Sequence, residues 1–166
     1  MKKILSIAAI SLLVVPSAFA EPRIGIGWDD GYSIRARIDQ FTVQATGKFN
    51  SVFPDDDDLD TMTDAEISIY GGYTGLDFND ARLNGFVGFS LLPTSRQDVI
   101  GNRRYDKEMD FAFRFGIEPE VMVTDNVGLS GKLGFEIEVD EGYEDLDDSG
   151  STNFGSWGSV GVHWYF

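Results

Sequence analysis

Apolar residues occupy every second position along most of the chain from Arg23 to Phe166. A period of two puts one set of side chains on each face of a strand, whereas a helix repeats every 3.6 residues. Eight segments carry the alternation: Arg23 to Trp28, Tyr32 to Ile38, Phe41 to Phe49, Ile67 to Tyr73, Leu83 to Leu91, Phe111 to Val121, Val127 to Val139 and Phe154 to Phe166. The sequence therefore predicts an all-β fold of eight strands.

The boundary between the second and third segments needs its own argument. Apolar residues take even numbers up to Ile38 and odd numbers from Phe41 onward. Such a change of parity indicates either a turn or a β-bulge. We interpret Asp39 and Gln40 as a two-residue turn, although they lack the Gly that favours tight hairpins. A bulge would leave seven strands.

The lengths of the connectors indicate how the strands are arranged. Four connectors are short: Asp29 to Gly31, Asp39 to Gln40, Asn79 to Ala81 and Thr124 to Asn126. Three are long: Ser51 to Glu66, Pro93 to Asp110 and Asp140 to Asn153. In an up-and-down arrangement all three long loops fall at the same end, away from both termini, as in bacterial outer-membrane barrels.

The two faces of the strands differ sharply in charge. The apolar face contains no charged residue, which is what lipid would require, since one Lys or Arg at mid-bilayer costs about 2–4 kcal/mol on such a face. The other face is rich in Gly, Ser and Thr and carries charges of both signs: Arg35, Arg37, Lys48, Arg114, Glu118, Glu120, Lys132, Glu136 and Glu138. These nine residues are predicted to form a charge-paired network that plugs a narrow barrel. An acid pair or proton path through the Glu pairs is the less favoured interpretation.

A soluble fold can produce the same alternation. In a secreted β-sandwich or a lipocalin-like binder the apolar face is the core and the polar face meets water. Aromatic residues near the strand ends, the many Gly residues on the polar face and an aromatic last residue favour lipid instead.

The first twenty residues have the pattern of an export signal. Lys2 and Lys3 precede an apolar run from Ile4 to Val15, and Ala18-Phe19-Ala20 offers a cleavage site. The run is shorter than the ~20 residues of a membrane-spanning helix. We therefore expect residues 1–20 to be a cleaved signal peptide and residues 21–166 to be one barrel domain.

The last strand carries the motif Gly158-x-Val160-x-Val162-x-Trp164-x-Phe166. It resembles the C-terminal strand signal of outer-membrane β-barrels. With the signal peptide and the strand count, the chain resembles the small eight-stranded outer-membrane barrels of Gram-negative bacteria, the class of outer-membrane proteins A and X. The resemblance implies an eight-stranded antiparallel up-and-down transmembrane β-barrel in outer-membrane lipid. It also implies that the barrel assembly machinery reads an assembly signal at Val160, Val162, Trp164 and Phe166. Pro119 departs from the pattern, and a bulge or local break is expected there.

Composition narrows the possible partners. A formal net charge of −15 argues against nucleic acid, and the absence of Cys excludes disulfides and thiolate chemistry. No cofactor is predicted, and a monomer is expected.

Two of the long loops are strongly acidic, with Asp55, Asp56, Asp57, Asp58, Asp60, Asp64 and Glu66 in one and Asp140, Glu141, Glu144, Asp145, Asp147 and Asp148 in the other. Divalent cations could bind there, but the residues from Asp145 onward match a calcium loop only at its start, and a solvated charge run is the favoured interpretation.

His163 is the only His in the chain, and its parity points it inward. A packed or hydrogen-bonded structural role is the favoured interpretation. A lipid-modifying hydrolase would need a Ser close to His163. Ser159 lies about 13 Å away along the strand, whereas Ser130 on another strand remains a possible partner.

The sequence thus predicts a non-enzymatic outer-membrane barrel with a closed lumen and acidic extracellular loops, which have a surface, adhesion or cation-binding role. The alternatives are the hydrolase, a soluble binder and, less favoured, a small-solute channel.

Overall fold

The computed structural model describes residues 22–52, 62–95, 108–140 and 150–166. These residues form eight strands: β1 Arg23–Asp29, β2 Tyr32–Ile38, β3 Phe41–Val52, β4 Met62–Phe78, β5 Ala81–Ser95, β6 Glu108–Met122, β7 Val127–Asp140 and β8 Ser151–Tyr165. The predicted strands are all present. Several extend further than predicted, so residues assigned to the long loops, such as those at 62–66 and 93–95, belong to strands.

The strands form one closed, antiparallel, up-and-down barrel in which each pairs with its neighbours in sequence and β1 pairs with β8. This confirms the predicted fold class at the level of the barrel. Paired residues can be followed from strand to strand once around the barrel, starting at Tyr165 of β8 and its partner Gly25. This path returns to β8 at Gly155, so the stagger of the barrel is ten residues. For eight strands, a stagger of ten residues means that the strands are tilted by about 40° from the barrel axis. Each residue then advances about 2.5 Å along that axis.

The two ends of the barrel are distinct. The turn end carries the short connectors at Asp39–Gln40, Asn79–Asp80 and 123–126, together with residues 22 and 166. The loop end carries the β1–β2 turn and the connections through residues 53–61, 96–107 and 141–149, which lie outside the described residues.

The parity switch after Ile38 is a turn and not a bulge. Asp39 has φ 53° and Asn79 has φ 47° in the corresponding turn between β4 and β5. Asp and Asn tolerate this left-handed conformation better than other residues with a Cβ, so a tight turn forms without Gly. The register of the sheet shifts instead between Thr74 and Leu76.

Pro119 interrupts one ladder without displacing it. The β6–β7 pairing passes from Ile117↔Leu133 directly to Glu120↔Ser130, and the register is the same on both sides of the gap. Because Pro has no N–H to donate, the ladder is broken locally while β6 continues. The expected local break is therefore present, and the alternative, a bulge, is not.

The apolar face of the strands is on the outside of the barrel. Exposed apolar residues surround the wall: Ile24, Ile26, Trp28, Ile34, Phe41, Phe49, Ile67, Tyr73, Val87, Phe113, Phe115, Ile117, Leu129, Leu133, Phe135, Phe154, Val160, Val162, Trp164 and Phe166. The buried apolar side chains among the described residues are few: Tyr70, Phe86, Ala112 and Tyr165. The soluble alternative required the apolar face to form the core, and the barrel has the opposite arrangement.

In the described ranges no helix has the length and apolar character needed to cross a bilayer. The predicted signal peptide, residues 1–20, lies outside the described residues.

Candidate functional site in the barrel interior

The barrel interior is filled by polar and charged side chains. Fully buried members include Arg35, Gln44, Asn84, Glu118, Glu120, Lys132 and His163. The alternation of the strands explains their position, because the residue after each outward apolar side chain points to the axis. Buried charges are tolerated only when they are paired and hydrogen-bonded, so the pairing of this interior determines what the site can do.

Arg35 of β2 is at the centre of the network. Its guanidinium contacts Glu118 directly, lies 3.4 Å from the Glu120 carboxylate and 3.7 Å from the Asp29 carboxylate, and its side chain is 0% exposed. Its Nε also donates to the Gln44 Oε1 at 2.8 Å. One cation from β2 thus joins carboxylates on β1 and β6 across the lumen.

Lys132 of β7 completes the central layer. Its ammonium group contacts the Asp29 carboxylate and lies 3.5 Å from the Glu118 carboxylate. Asp29 also accepts hydrogen bonds from the Ser159 hydroxyl and the Gln44 amide, both at 2.7 Å. Donors from three strands therefore satisfy this carboxylate, which compensates for its burial.

A second layer lies nearer the turn end. Arg37 forms an ion pair with Glu120, and the Tyr165 hydroxyl donates to the same carboxylate at 2.6 Å. The Arg37 guanidinium also lies 4.4 Å from the centre of the Tyr165 ring. Tyr165 is fully buried, so its ring lies inside the lumen, on the turn-end side of the central layer.

A third layer lies nearer the loop end and is centred on Arg114 of β6. Arg114 forms ion pairs with Glu66 and with Glu136, the latter at 2.5 Å. It also donates to the Tyr70 hydroxyl at 2.9 Å and to the Ser90 hydroxyl at 3.0 Å. These four partners are on β4, β5 and β7, so the closed sheet holds them in place.

Seven of the nine residues predicted for the charge network lie in these three layers: Arg35, Arg37, Arg114, Glu118, Glu120, Lys132 and Glu136. Lys48 does not join them. It is at the rim, where it pairs with Asp30 at 3.1 Å, and both side chains are nearly half exposed. Glu138 occupies the next inward position of β7 toward the loop end and is partly exposed.

Sequence reasoning missed two carboxylates of the network, Asp29 and Glu66. Both were assigned to connectors, Asp29 to the first turn and Glu66 to the first acidic loop. Their parity was the available signal, because Asp29 continues the inward series of Gly25 and Gly27, and Glu66 continues that of Ser68. They supply the partners for Lys132 and Arg114.

An aromatic cluster was also not foreseen. Trp157 points inward from β8 and stacks on Tyr70 at a centroid distance of 5.9 Å, and its ring lies 6.0 Å from that of Phe86. The Arg114 guanidinium lies 4.7 Å from the Trp157 ring, and the Lys132 ammonium lies 4.8 Å from the Tyr70 ring. We call Tyr70, Phe86 and Trp157 the aromatic shelf. It contacts Lys132 of the central layer on one side and Arg114 of the third layer on the other.

His163 is fully buried, and its Nε2 lies 3.0 Å from the Ser33 hydroxyl. The other ring nitrogen, Nδ1, and the Ser130 hydroxyl are buried without a hydrogen-bond partner in the described part of the protein. In a Ser–His pair the Ser acts as the nucleophile and the His as its general base. This requires a third group that orients the His, and a Ser that can reach the substrate. Ser33 is itself buried and no carboxylate is bonded to Nδ1, so this geometry offers the hydrolase interpretation no support.

Across the described ranges, no group of three or more His, Asp and Glu residues is arranged to hold a metal ion. Of the two acidic clusters in which cation binding was the less favoured interpretation, residues 55–60 and 141–148 lie outside the described residues, whereas Asp64, Glu66 and Asp140 lie on strands.

No family model, curated protein or solved structure matches the chain. The fold and the site define the class: a closed eight-stranded barrel with a charge-paired interior and an apolar exterior.

Proposed function

We propose that this protein is a non-enzymatic integral barrel of the bacterial outer membrane. The observation that carries the proposal is the inverted distribution of polarity, with ionised side chains buried on the axis and Phe, Ile, Val and Leu exposed around the wall. Exposed apolar surface costs about 25 cal/mol per Å² in water, and monomeric soluble proteins rarely expose contiguous apolar patches larger than a few hundred Å². Lipid removes that cost.

The dimensions of the wall agree with this proposal. Strands β4 to β8 contain 14 to 17 residues. At about 2.5 Å per residue along the axis they reach about 35–40 Å, which exceeds the apolar band of about 25 Å in outer-membrane barrels. Aromatic side chains lie outward toward both ends, with Phe49 and Phe154 at the loop end and Phe41, Tyr73 and Trp164 at the turn end.

The remaining parts of the proposal follow from this placement. Residues 1–20 would direct export and be removed, and the outward alternation of β8, at Val160, Val162, Trp164 and Phe166, would serve the barrel assembly machinery. The turn end would face the periplasm. The acidic connections at the loop end would face outside, where they give the surface negative charge and could attract divalent cations. Three paired layers across the axis would keep the barrel, a monomer, closed to solutes.

Cell fractionation and gel migration test the proposal. We expect the protein in the outer-membrane fraction, and we expect it to migrate faster before boiling than after, because folded barrels resist detergent. Boiling the same sample is the internal control. Recovery as a soluble periplasmic monomer in the absence of detergent would contradict the proposal.

A further inference from the structure

A groove of about 720 Å³ lies on the outer wall of the barrel. Two outward glycines, Gly71 of β4 and Gly85 of β5, form its floor, and a Cβ added to either would meet no atom within 4 Å. The residues paired with these glycines on the neighbouring strands form its sides: Val43, Tyr73, Val87 and Ile117. Gly85 is the fifth of the 15 residues of β5, so this wall groove lies in the half of the barrel nearer the turn end.

The wall groove offers contacts to an alkyl chain rather than to a polar ligand. Its outward side chains are hydrocarbon except for the Tyr73 hydroxyl, which donates to the Gln40 Oε1 at 2.6 Å. The strands β3 to β6 are paired continuously at this level, so their backbone N–H and C=O groups are already bonded. Its volume is within the range of roughly 300–1,000 Å³ that ligand cavities have. Dispersion contacts with a flexible hydrocarbon are therefore what it can supply.

A polar corner adjoins the wall groove at the turn end. Phe41 lines both the wall groove and a second cavity of about 600 Å³. This cavity exists because β3 begins at Phe41 while β4 continues to Phe78, so the turn before β3 lies beside the β4–β5 hairpin. The Thr74 N–H donates to the Gln40 carbonyl at 2.7 Å and holds the turn against β4. We call the other residues that line this cavity the polar corner: Asp39, Gln40, Asp77 and Arg82.

The polar corner presents charges of both signs. The Arg82 guanidinium lies 3.0 Å from the Asp77 carboxylate, and both side chains are partly exposed. A guanidinium has five N–H donors, so Arg82 can also donate to a second acceptor such as a phosphate. Asp39 is exposed and has no ion pair within the described residues. One cation beside two carboxylates is complementary to a head group that carries both a phosphate and an ammonium.

The wall groove and the polar corner are formed entirely by described residues. The connections through residues 53–61, 96–107 and 141–149 join the strands at the other end of the barrel. Residues 1–21 precede β1, which is four strands from β5 in the closed sheet and therefore lies across the barrel from it.

We propose that the wall groove and the polar corner together bind one phospholipid with a primary ammonium head group, of the phosphatidylethanolamine type. One acyl chain lies over Gly71 and Gly85, the phosphate lies at Arg82, and the ammonium lies at Asp39. The head then points to the turn end and the chain points to the bilayer centre, as in the periplasmic leaflet. The site rests on the proposed membrane placement, and it differs from general contact with lipid because it distinguishes between head groups.

The head group determines the preference. A phosphatidylglycerol head carries the phosphate but no cation for Asp39. A phosphatidylcholine head carries both charges, but its trimethylammonium has no N–H to donate to a carboxylate. Hydrogen bonds between charged groups are about twice as strong as neutral ones, so the primary ammonium should be favoured over both.

Vesicle flotation followed by native mass spectrometry tests the site. The protein is reconstituted in vesicles of equal parts phosphatidylethanolamine, phosphatidylcholine and phosphatidylglycerol with identical acyl chains. Flotation on a density gradient reports insertion, and the mass spectrum after extraction in mild detergent reports the retained lipid. We expect one retained phosphatidylethanolamine, favoured at least about fivefold over each of the other two lipids.

The two readouts separate the site from the placement. Flotation with no lipid retained, or with the three lipids retained equally, would overturn the site and leave the membrane placement intact. Preferred retention of phosphatidylglycerol or phosphatidylcholine would overturn the head-group assignment. Protein that does not float with the vesicles would overturn the placement on which the site rests.

A substitution in the polar corner checks the ammonium contact. Asp39→Asn removes the charge, and Asn tolerates the left-handed φ of 53° at this position. It should reduce the preference for phosphatidylethanolamine over phosphatidylcholine to less than about twofold. Asp125→Asn is the control, since it removes a carboxylate from the turn between β6 and β7 at the same end of the barrel. An unchanged preference in Asp39→Asn would contradict the contact.

A filling variant checks the place of the acyl chain. Gly85→Phe should lower the amount of retained phosphatidylethanolamine at least about fivefold, because the ring occupies the wall groove. Gly131→Phe is the control. Gly131 also faces outward and is the fifth residue of β7, as Gly85 is of β5, and an added Cβ there would meet its nearest atom at 3.7 Å. Equal retention by the two variants would overturn the assignment of the chain to the wall groove.

Discussion

Asp29 and Asp30 are identical residues, adjacent in sequence, with opposite environments. The Asp29 carboxylate is buried and contacts Lys132, Arg35, Gln44 and Ser159. Asp30, in the turn that follows, is close to half exposed and pairs with Lys48. A buried ion pair is costly to break, because one charge is left without its partner in a medium of low dielectric.

We therefore expect Asp29→Asn to lower the free energy of unfolding by about 3 kcal/mol, since the nearly isosteric amide leaves the buried Lys132 ammonium with only the Glu118 carboxylate at 3.5 Å, which Arg35 already contacts. Asp30→Asn should change it by less than about 1 kcal/mol, as is usual for an exposed pair. Urea unfolding in lipid vesicles, followed by Trp fluorescence, measures both. Equal effects of the two substitutions would mean that the central layer is hydrated in the membrane.

At the scale of single residues, parity predicted the direction of most side chains but not their partners. Arg35 and Glu118 face inward by alternation alone, yet their contact depends on how β2 and β6 meet across a lumen with a stagger of ten residues. The stagger is the sum of the pairing registers around the barrel. These registers are fixed only when the barrel closes in three dimensions, so alternation in the sequence does not give them. Lys48 shows the same limit, because its inward parity places it above the end of β2 rather than inside the network.

At the scale of elements, β8 and β1 offer a matched pair of outward Trp residues. Trp164 and Trp28 are 57% and 50% exposed and lie on paired strands. If β8 carries the assembly signal, Trp164→Ser should reduce the amount of folded barrel in the outer membrane severalfold, whereas Trp28→Ser should reduce it much less. Refolding of both purified variants in detergent separates assembly from stability. A similar loss for both variants in cells would remove the special role of β8.

The strands themselves were predictable because each buries one face and exposes the other, which forces a period of two. The ends of the strands were harder to predict than their existence. β4 was predicted as Ile67 to Tyr73 but spans Met62–Phe78, because the register shift between Thr74 and Leu76 moves the apolar residues from odd to even positions and residues 62–66 contain no alternating apolar run. The short β1–β2 hairpin was visible in the sequence, but the extension of β3 to Val52 and of β8 to Ser151 became apparent only in the structure.

At the scale of the whole molecule, an apolar band should make the cost of an added charge depend on depth. Leu133 lies near the middle of β7 and Phe78 at the turn end of β4, and their exposed fractions, 61% and 63%, are nearly the same. Leu133→Arg should lower the free energy of unfolding in lipid vesicles by about 2–4 kcal/mol, and Phe78→Arg by about 0–1 kcal/mol. Equal values would argue that no hydrocarbon surrounds the barrel.

The stacked layers also determine whether the barrel conducts. An eight-stranded barrel is just wide enough for side chains to fill it, and Arg35, Glu118, Lys132 and Tyr165 cross the axis in adjoining layers. Purified protein in planar bilayers should therefore show no steady current at neutral pH. Removing a cation and its carboxylate together, as in Arg35→Ala with Glu118→Ala, keeps the net charge and opens the central layer, so small steps of current should appear.

The rim pair is the control. Lys48→Ala with Asp30→Ala also preserves the net charge but leaves the central layer intact, so this variant should show no current. Steady current through the unaltered protein would show that ions pass the paired layers, which the closed-lumen proposal forbids.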